Sequence, residues 1–163
     1  DTATTESYTL SLHDALRSIT YWENIIQPGI SKEMVSTIDL PASMAALTGI
    51  DLPNDGVLDS FNVLDALLGK RGAKGRQYIV SQDNGLKGNY GLRDGNWKLQ
   101  RHDTKRMYNG DLSMDSWTVP QYTLFNLDKD IAEANDVSKD YPQITERLKD
   151  QLQSIIDRGK TRF

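Results

Sequence analysis

The chain has 163 residues, enough for one compact domain with its own core, and at 37% hydrophobic and 26% charged it is polar without entering the disordered class. A formal net charge of -4 offers no basic face for phosphate, so nucleic-acid binding is not expected, and no apolar run approaches the roughly 18 residues that a membrane span needs. Cysteine is absent, which removes disulfides, thiolate metal sites and cysteine nucleophiles together, and the two histidines, His13 and His102, are a thin supply for a self-contained metallohydrolase.

Residues 1–18 are rich in Thr and Ser and carry no sustained period. They read as foreign to the native gene, like the translation of a sequencing adaptor at the end of a metagenomic contig; the alternative is a variable N-terminal arm. Residues 19–30 begin with aromatic and β-branched residues and end at Pro28-Gly29, which predicts a short strand or extended piece closed by a turn. Asp39 is a good helix N-cap, Pro41 suits the first turn, and Gly49 suits the end of a helix over 42–48. Leu40, Met44 and Leu47 share one face, so this helix is expected to pack inward. Residues 52–56 are turn chemistry. Ser60 is then the expected cap of a second short helix, Phe61 to Leu68, ended by Gly69.

The period changes after the Gly-rich basic loop Gly69 to Arg76. Strands are predicted over 77–81, 90–93, 97–101 and 122–127, with the second and third joined through Asp94-Gly95-Asn96. Ile144, Leu148, Leu152, Ile155 and Ile156 follow helical spacing and mark a long amphipathic helix from Pro142 to Asp157. The predicted class is α+β: a small antiparallel sheet of about four strands with a long C-terminal helix to cover one face, preceded by two short helices.

Local strings add a family resemblance. Residues 36–41 (STIDLP), Leu47-Thr48-Gly49 and Leu52-Pro53 come first, then Leu58-Asp59-Ser60 and Leu67-Leu68-Gly69. Residues 92–99 (LRDGNWKL) and the spaced Leu124-Phe125-Asn126-Leu127-Asp128, Asp130, Glu133 and Asn135 follow, then Tyr141-Pro142 and residues 159–162 (GKTR). In this order they resemble the C-terminal part of sulfatases of the alkaline phosphatase superfamily. Pro41 falls one place early, Ile131 stands where the family usually has proline, and Asn135 falls one residue early; these departures loosen the subfamily more than the family. The resemblance implies residues 19–75 as the end of a catalytic domain and residues 76–163 as a C-terminal subdomain. It implies a parent that hydrolyses sulfate esters of carbohydrates or aryl compounds, in the periplasm or outside the cell.

By the same resemblance the parent carries a formylglycine nucleophile and Ca²⁺. This chain has neither the Cys/Ser-x-Pro-x-Arg string nor the calcium-binding Asp-Asn stretch, so no catalytic or metal residue is assigned and the chain alone is expected to be inert. Asp83-Asn84 reads as a turn, and Asp128-x-Asp130 lacks the Gly and Glu of a calcium loop. The candidate substrate contacts are Arg101, His102 and Arg106, with Lys105 nearby, because guanidinium matches sulfate in a bidentate way; the alternative is a solvated loop. The Lys70, Arg71, Lys74 and Arg76 loop reads as a charged surface connector more than an anion nest. Trp117, Tyr108 and Tyr122 are stacking candidates or loop anchors, and Trp97 is read as core. Two rivals stand beside the sulfatase: a non-catalytic module for anionic glycans, and a related phosphodiesterase or phosphomutase.

Overall fold

In the computed structural model, the described residues are 19–53, 55–82, 89–102, 106–109, 114–118 and 120–162, with the side chains of 106–109 and 114–118 outside the description. Residues 1–18, the Asp83-Asn84 turn and Lys105 therefore lie outside the described residues, as do the side chains of Arg106, Tyr108 and Trp117. The elements in order are a 3₁₀ turn Thr37–Asp39, α1 Leu40–Thr48, α2 Leu64–Leu67, β1 Tyr78–Gln82, β2 Tyr90–Asp94, β3 Trp97–Arg101, β4 Arg106–Asn109, β5 Met114–Thr118, β6 Tyr122–Asn126 and α3 Pro142–Arg158. The class is α+β, as the periodicity predicts. The chain divides into two compact units, one containing Val80–Glu146 and the other Ser18–Ile79 with Arg147–Phe163; the division falls within β1 and within α3.

The first unit is built on a sheet of order β1-β2-β3-β6. Gly95 has φ 58°, a backbone state that a side chain resists, and it lets β2 turn directly into β3 with Asp94 opposite Trp97. The register then lines up Leu92, Leu99 and Leu124 across three strands, and all three are fully buried. Each such leucine contributes roughly 1.5–3 kcal/mol through burial, so this row is the main apolar stabiliser of the unit. Alternation puts Gly91, Gln100 and Thr123 in one row of the opposite face, and Arg93, Lys98 and Phe125 in another. Trp97 lies on the leucine face, half-buried, with its ring 4.8 Å from that of Tyr141. At the β6 edge, Leu124 donates its N–H to Val137's neighbour Asp136 through Oδ1 and accepts from the Val137 N–H, so residues 136–137 cover an otherwise open strand edge.

A second ladder, β4 with β5, occupies a stretch expected to be loop. Asn109 pairs with Met114 inside this ladder, and the register shifts between Arg106 and Tyr108, an irregularity that breaks the alternation a sequence reading relies on.

The second unit is held by polar contacts. Asp39, fully buried, occupies the N-cap position of α1 but does not cap it through its side chain. Its carboxylate instead accepts from the Ser36 N–H, the Phe61 N–H and Arg76 Nη1, at 3.0, 2.9 and 3.0 Å. Arg76 lies over the Phe61 ring at 4.6 Å, and Phe61 meets Tyr78 edge-on. Burial pulls the Arg76 pKa down and the neighbouring Asp39 charge opposes that pull.

Three expectations are corrected here. Ser60 does not cap α2; its hydroxyl accepts from the Ala42 N–H in the first turn of α1, while Ser43 returns the favour to the Val63 N–H. With Ser60 so engaged, α2 begins only at Leu64. Small residues let these segments approach closely, so α1 buries Ala42 and Ser43, and its apolar stripe faces out: Leu40, Met44 and Leu47 are 44%, 42% and 39% exposed. Residues 19–30 form no strand; the Trp22 carbonyl accepts from Ile25 and Ile26 in a turn with Asn24 at φ 62°.

α3 starts at Pro142 as expected, and Leu148, Leu152 and Ile155 are its buried positions. Past its end, Thr161 donates twice to Asp59 Oδ1, and Arg162 reaches the carbonyls of Leu58 and Gly56. Tyr78 donates to the Thr161 carbonyl at 2.6 Å. The tail is thereby clasped to the loop before α2.

Candidate functional site

The exit of β3 carries Arg101 and His102. Both are half-buried, and the His102 N–H donates to the Gln121 carbonyl at 2.8 Å, which continues the β3–β6 ladder and fixes where the two side chains start. Arg101 lies 5.7 Å from the centre of the Tyr90 ring, an orientation that a cation favours over an aromatic face. The two residues border a hollow lined also by Asn89, Tyr90, Gly91, Lys98 and Gln100, with a volume of about 20 Å³. That space admits a group about the size of one water and not a sugar ring. Gly91 is part of its wall; a Cβ there would come within 3.1 Å of Ser81 Oγ and 3.8 Å of Lys98 Cε. Of the predicted contacts, Arg101 falls by alternation on the face of Trp97 and Leu99, and His102, the next residue, follows the end of β3. Arg106 opens β4, and its side chain lies outside the description.

Below the hollow is a pair that sequence reasoning passed over. Lys98, 1% exposed, donates to Glu133 Oε1 at 2.7 Å, and Gln100 Nε2 donates to Glu133 Oε2 at 2.6 Å. Both donors project from the Gly91 face of β3. Glu133 sits at φ 55°, unusual for a residue with a side chain. The loop around it is strapped locally: the Asn126 carbonyl accepts from Lys129 and Asp130, and the Asp130 carboxylate accepts from the Asn135 N–H at 2.8 Å. The Asn135 and Ala134 N–H groups hold the Asp130 carboxyl below its ordinary range. Asn96 donates to the Asp128 carboxylate.

The basic loop is paired with carboxylates, at the surface for Lys70 and Lys74 and in the interior for Arg76. Lys70 pairs with Asp65 at 2.6 Å, Lys74 with Glu33 at 3.3 Å and Arg76 with Asp39. Its glycine at 75 is there for close approach: a Cβ would stand 2.2 Å from the Met34 carbonyl oxygen, where Arg76 N–H donates at 2.7 Å. The Gly75 N–H and Lys74 together hold the Glu33 carboxyl below its usual range.

No family model matches the chain. Among curated proteins it is 32% identical over 142 residues to the N-acetylgalactosamine-6-O-sulfatase of Bacteroides thetaiotaomicron, covering 86% of this chain and 27% of that protein. A solved structure from the same organism, described under the metabolism of multiple glycosaminoglycans, superposes with a TM-score of 0.69 at 30% identity, over 80% of this chain and 27% of that one. The chain belongs to the sulfatase family and matches its C-terminal part. Arylsulfatase G of Rattus norvegicus agrees, at 26% identity over 153 residues with 86% of this chain and 29% of that protein covered. The chain thus spans little more than a quarter of the length of these relatives.

Seen as a sulfatase segment, the strings that carry the resemblance are structural. Asp39 ties three segments together, Trp97 meets the Tyr141 ring at a tilt, Asp130 shapes the Glu133 loop, and Thr161-Arg162 clasp Gly56 to Asp59. Among the described residues no group of three or more His, Asp or Glu can hold a metal ion, and the Asp128 and Asp130 carboxylates are engaged by Asn96 and Asn135. No helix among the described residues is long and apolar enough to cross a membrane.

Proposed function

We propose that this chain is the C-terminal portion of a sulfuric ester hydrolase whose substrates are sulfated carbohydrates or aryl sulfates, and that it meets substrate through Arg101 and His102. Residues 19–75 would close the catalytic domain and residues 76–163 form the C-terminal subdomain. The single observation behind the reading is the 32% identity over 142 residues to an N-acetylgalactosamine-6-O-sulfatase, and Arg101 and His102, at the end of β3, are the contacts it proposes. Similarity to the N-acetylgalactosamine-6-O-sulfatase of Bacteroides thetaiotaomicron supports a sulfated sugar. Arg106 is a third contact on this reading.

Hydrolysis of a sulfate ester needs a nucleophile, a cation for the sulfate oxygens and an acid for the leaving oxygen. The formylglycine and Ca²⁺ of a sulfatase would provide the first two, from outside this chain. What Arg101 and His102 add is orientation: a guanidinium fork and an imidazole that hold one sulfate or sugar oxygen as the ester is presented. On this reading the parent acts in the periplasm or outside the cell.

The test uses a chromogenic aryl sulfate and a sulfated monosaccharide. The 163-residue chain alone turns over neither, while the gene read further upstream encodes Cys/Ser-x-Pro-x-Arg and a protein that hydrolyses both. Arg101→Met in that protein raises KM for the sulfated sugar at least tenfold. Turnover by the short chain, or an upstream frame without that string, overturns the assignment. A short chain that binds sulfated sugar and has no such upstream frame is instead a glycan-binding module.

A further inference from the structure

We propose that Thr161 and Arg162 form a strap that holds Val57 in a left-handed backbone state, and that opening the strap lets residues 56–59 relax to another conformation. The inference is independent of the substrate reading and concerns a device built into the fold.

Val57 has φ 45°. A β-branched side chain is crowded in this state, which persists only where the surroundings impose it. The carbonyls on either side of Val57 are both taken by Arg162. That of Gly56 accepts from Arg162 Nη2 at 3.0 Å, and that of Leu58 from the Arg162 N–H at 3.0 Å. One residue therefore grips both neighbours of the strained position. Thr161 anchors the grip: its N–H and hydroxyl donate to Asp59 Oδ1 at 2.7 and 2.9 Å, and its carbonyl accepts from Tyr78 at 2.6 Å. Within the loop, the Ser60 N–H adds a bond to the Val57 carbonyl at 2.9 Å.

The strap is built to open. It leaves α3 at Gly159, which is exposed at φ 64° and can change its backbone state at little cost. Asp59 is itself exposed, so water can replace Thr161 at its carboxylate. What the loop holds carries the effect further. Ser60 Oγ accepts from the Ala42 N–H at 3.0 Å in the first turn of α1. The Asp59 carbonyl accepts from Arg76 Nη2 at 3.4 Å, and the same guanidinium binds Asp39. The end of α3 is thus linked to the start of α1 through a loop under strain.

The experiment is a double-mutant cycle on the 163-residue chain. It is read by thermal melts at low concentration and by amide exchange over residues 56–60, with residues 148–152 of α3 as the reference for global opening. Val57→Gly removes the strain whatever the strap does. Thr161→Val with Arg162→Met opens the strap, and Arg162→Met alone is the milder opening. Val57→Gly shifts the melting temperature more favourably with the strap intact than with it open, so the changes are not additive. Opening the strap speeds exchange over 56–60 at least about tenfold and leaves 148–152 protected.

Equal melting shifts for Val57→Gly in both backgrounds show that the loop holds Val57 without the strap, and overturn the proposal. Unchanged exchange over 56–60 in an opened variant that still melts cooperatively does the same. Where the Thr161→Val, Arg162→Met pair does not fold, Arg162→Met alone completes the cycle and the same two outcomes decide.

Discussion

Arg76 and Asp39 meet at 3.0 Å between Nη1 and Oδ1, with 1% and 0% of their side chains exposed. The pair joins residues 37 positions apart and sits where the segment before α1, the loop before α2 and the segment entering β1 converge. Removing one member strands a charge. Asp39→Ala is expected to cost about 3–5 kcal/mol, read from urea or thermal unfolding of the chain. Replacing both, as Asp39→Leu with Arg76→Met, recovers only part of that. The Ser36 and Phe61 N–H groups lose their acceptor, each at about 1 kcal/mol or more. Full recovery in the double variant would show that the backbone contacts are idle.

Gly75→Ala tests the other close approach in that unit. The added Cβ would stand 2.2 Å from the Met34 carbonyl oxygen, which a backbone cannot yield without moving. The loss is expected at about 2 kcal/mol or more, at the upper end of overpacking effects. An unchanged melting temperature would mean that the two segments separate freely.

The outward stripe of α1 makes a prediction about handling. Leu40, Met44 and Leu47 are joined by Ile50, 64% exposed, and the chain spans little more than a quarter of its sulfatase relatives. On the proposed function, the remaining part of the sulfatase covers this stripe. The chain alone is then expected to self-associate, and Leu40→Ser, Met44→Ser and Leu47→Ser together to raise its monomer fraction in light scattering. Residues 19–68 expressed alone should aggregate; monodisperse, cooperatively melting protein from that piece counts against the idea.

Asp130 gives the pH dependence. Its carboxyl lies below the ordinary range because the N–H of Asn135, then that of Ala134, favours the ionised form. A depressed native pKa stabilises above the unfolded value of about 3.9 and is lost as pH falls through the lower native value. The loop carrying Glu133 should therefore hold through mildly acid conditions and loosen only below about pH 4. Amide exchange at Asn135 reports it, and Asp130→Asn should abolish the step; an equal step in that variant would assign it elsewhere.

These predictions divide along a line that also separates what the amino-acid order makes visible. Trp97 to Arg101 and the long terminal helix are legible because alternation and helical spacing are local signals, and Gly95 marks the turn. Arg101 and His102 are legible only as the residues at the exit of β3. The role of Asp39 is not: its residue type reads as a cap, while its partners lie 22 and 37 positions away. Lys98 is hidden in the same manner. A lysine between Trp97 and Leu99 looks like the wet side of a strand, and only the return of the chain at Glu133, 35 positions on, buries it. The exposed stripe of α1 is a third case, since a helical period shows that a face is apolar without showing what covers it.

The clasp of Thr161 and Arg162 on residues 56–59 spans more than 100 positions. During synthesis, the loop before α2 leaves the ribosome long before its partner, and the carboxylate of Asp59 stays in water until Thr161 is made. Loss of Thr161 and Arg162 therefore acts on a segment made more than 100 positions earlier.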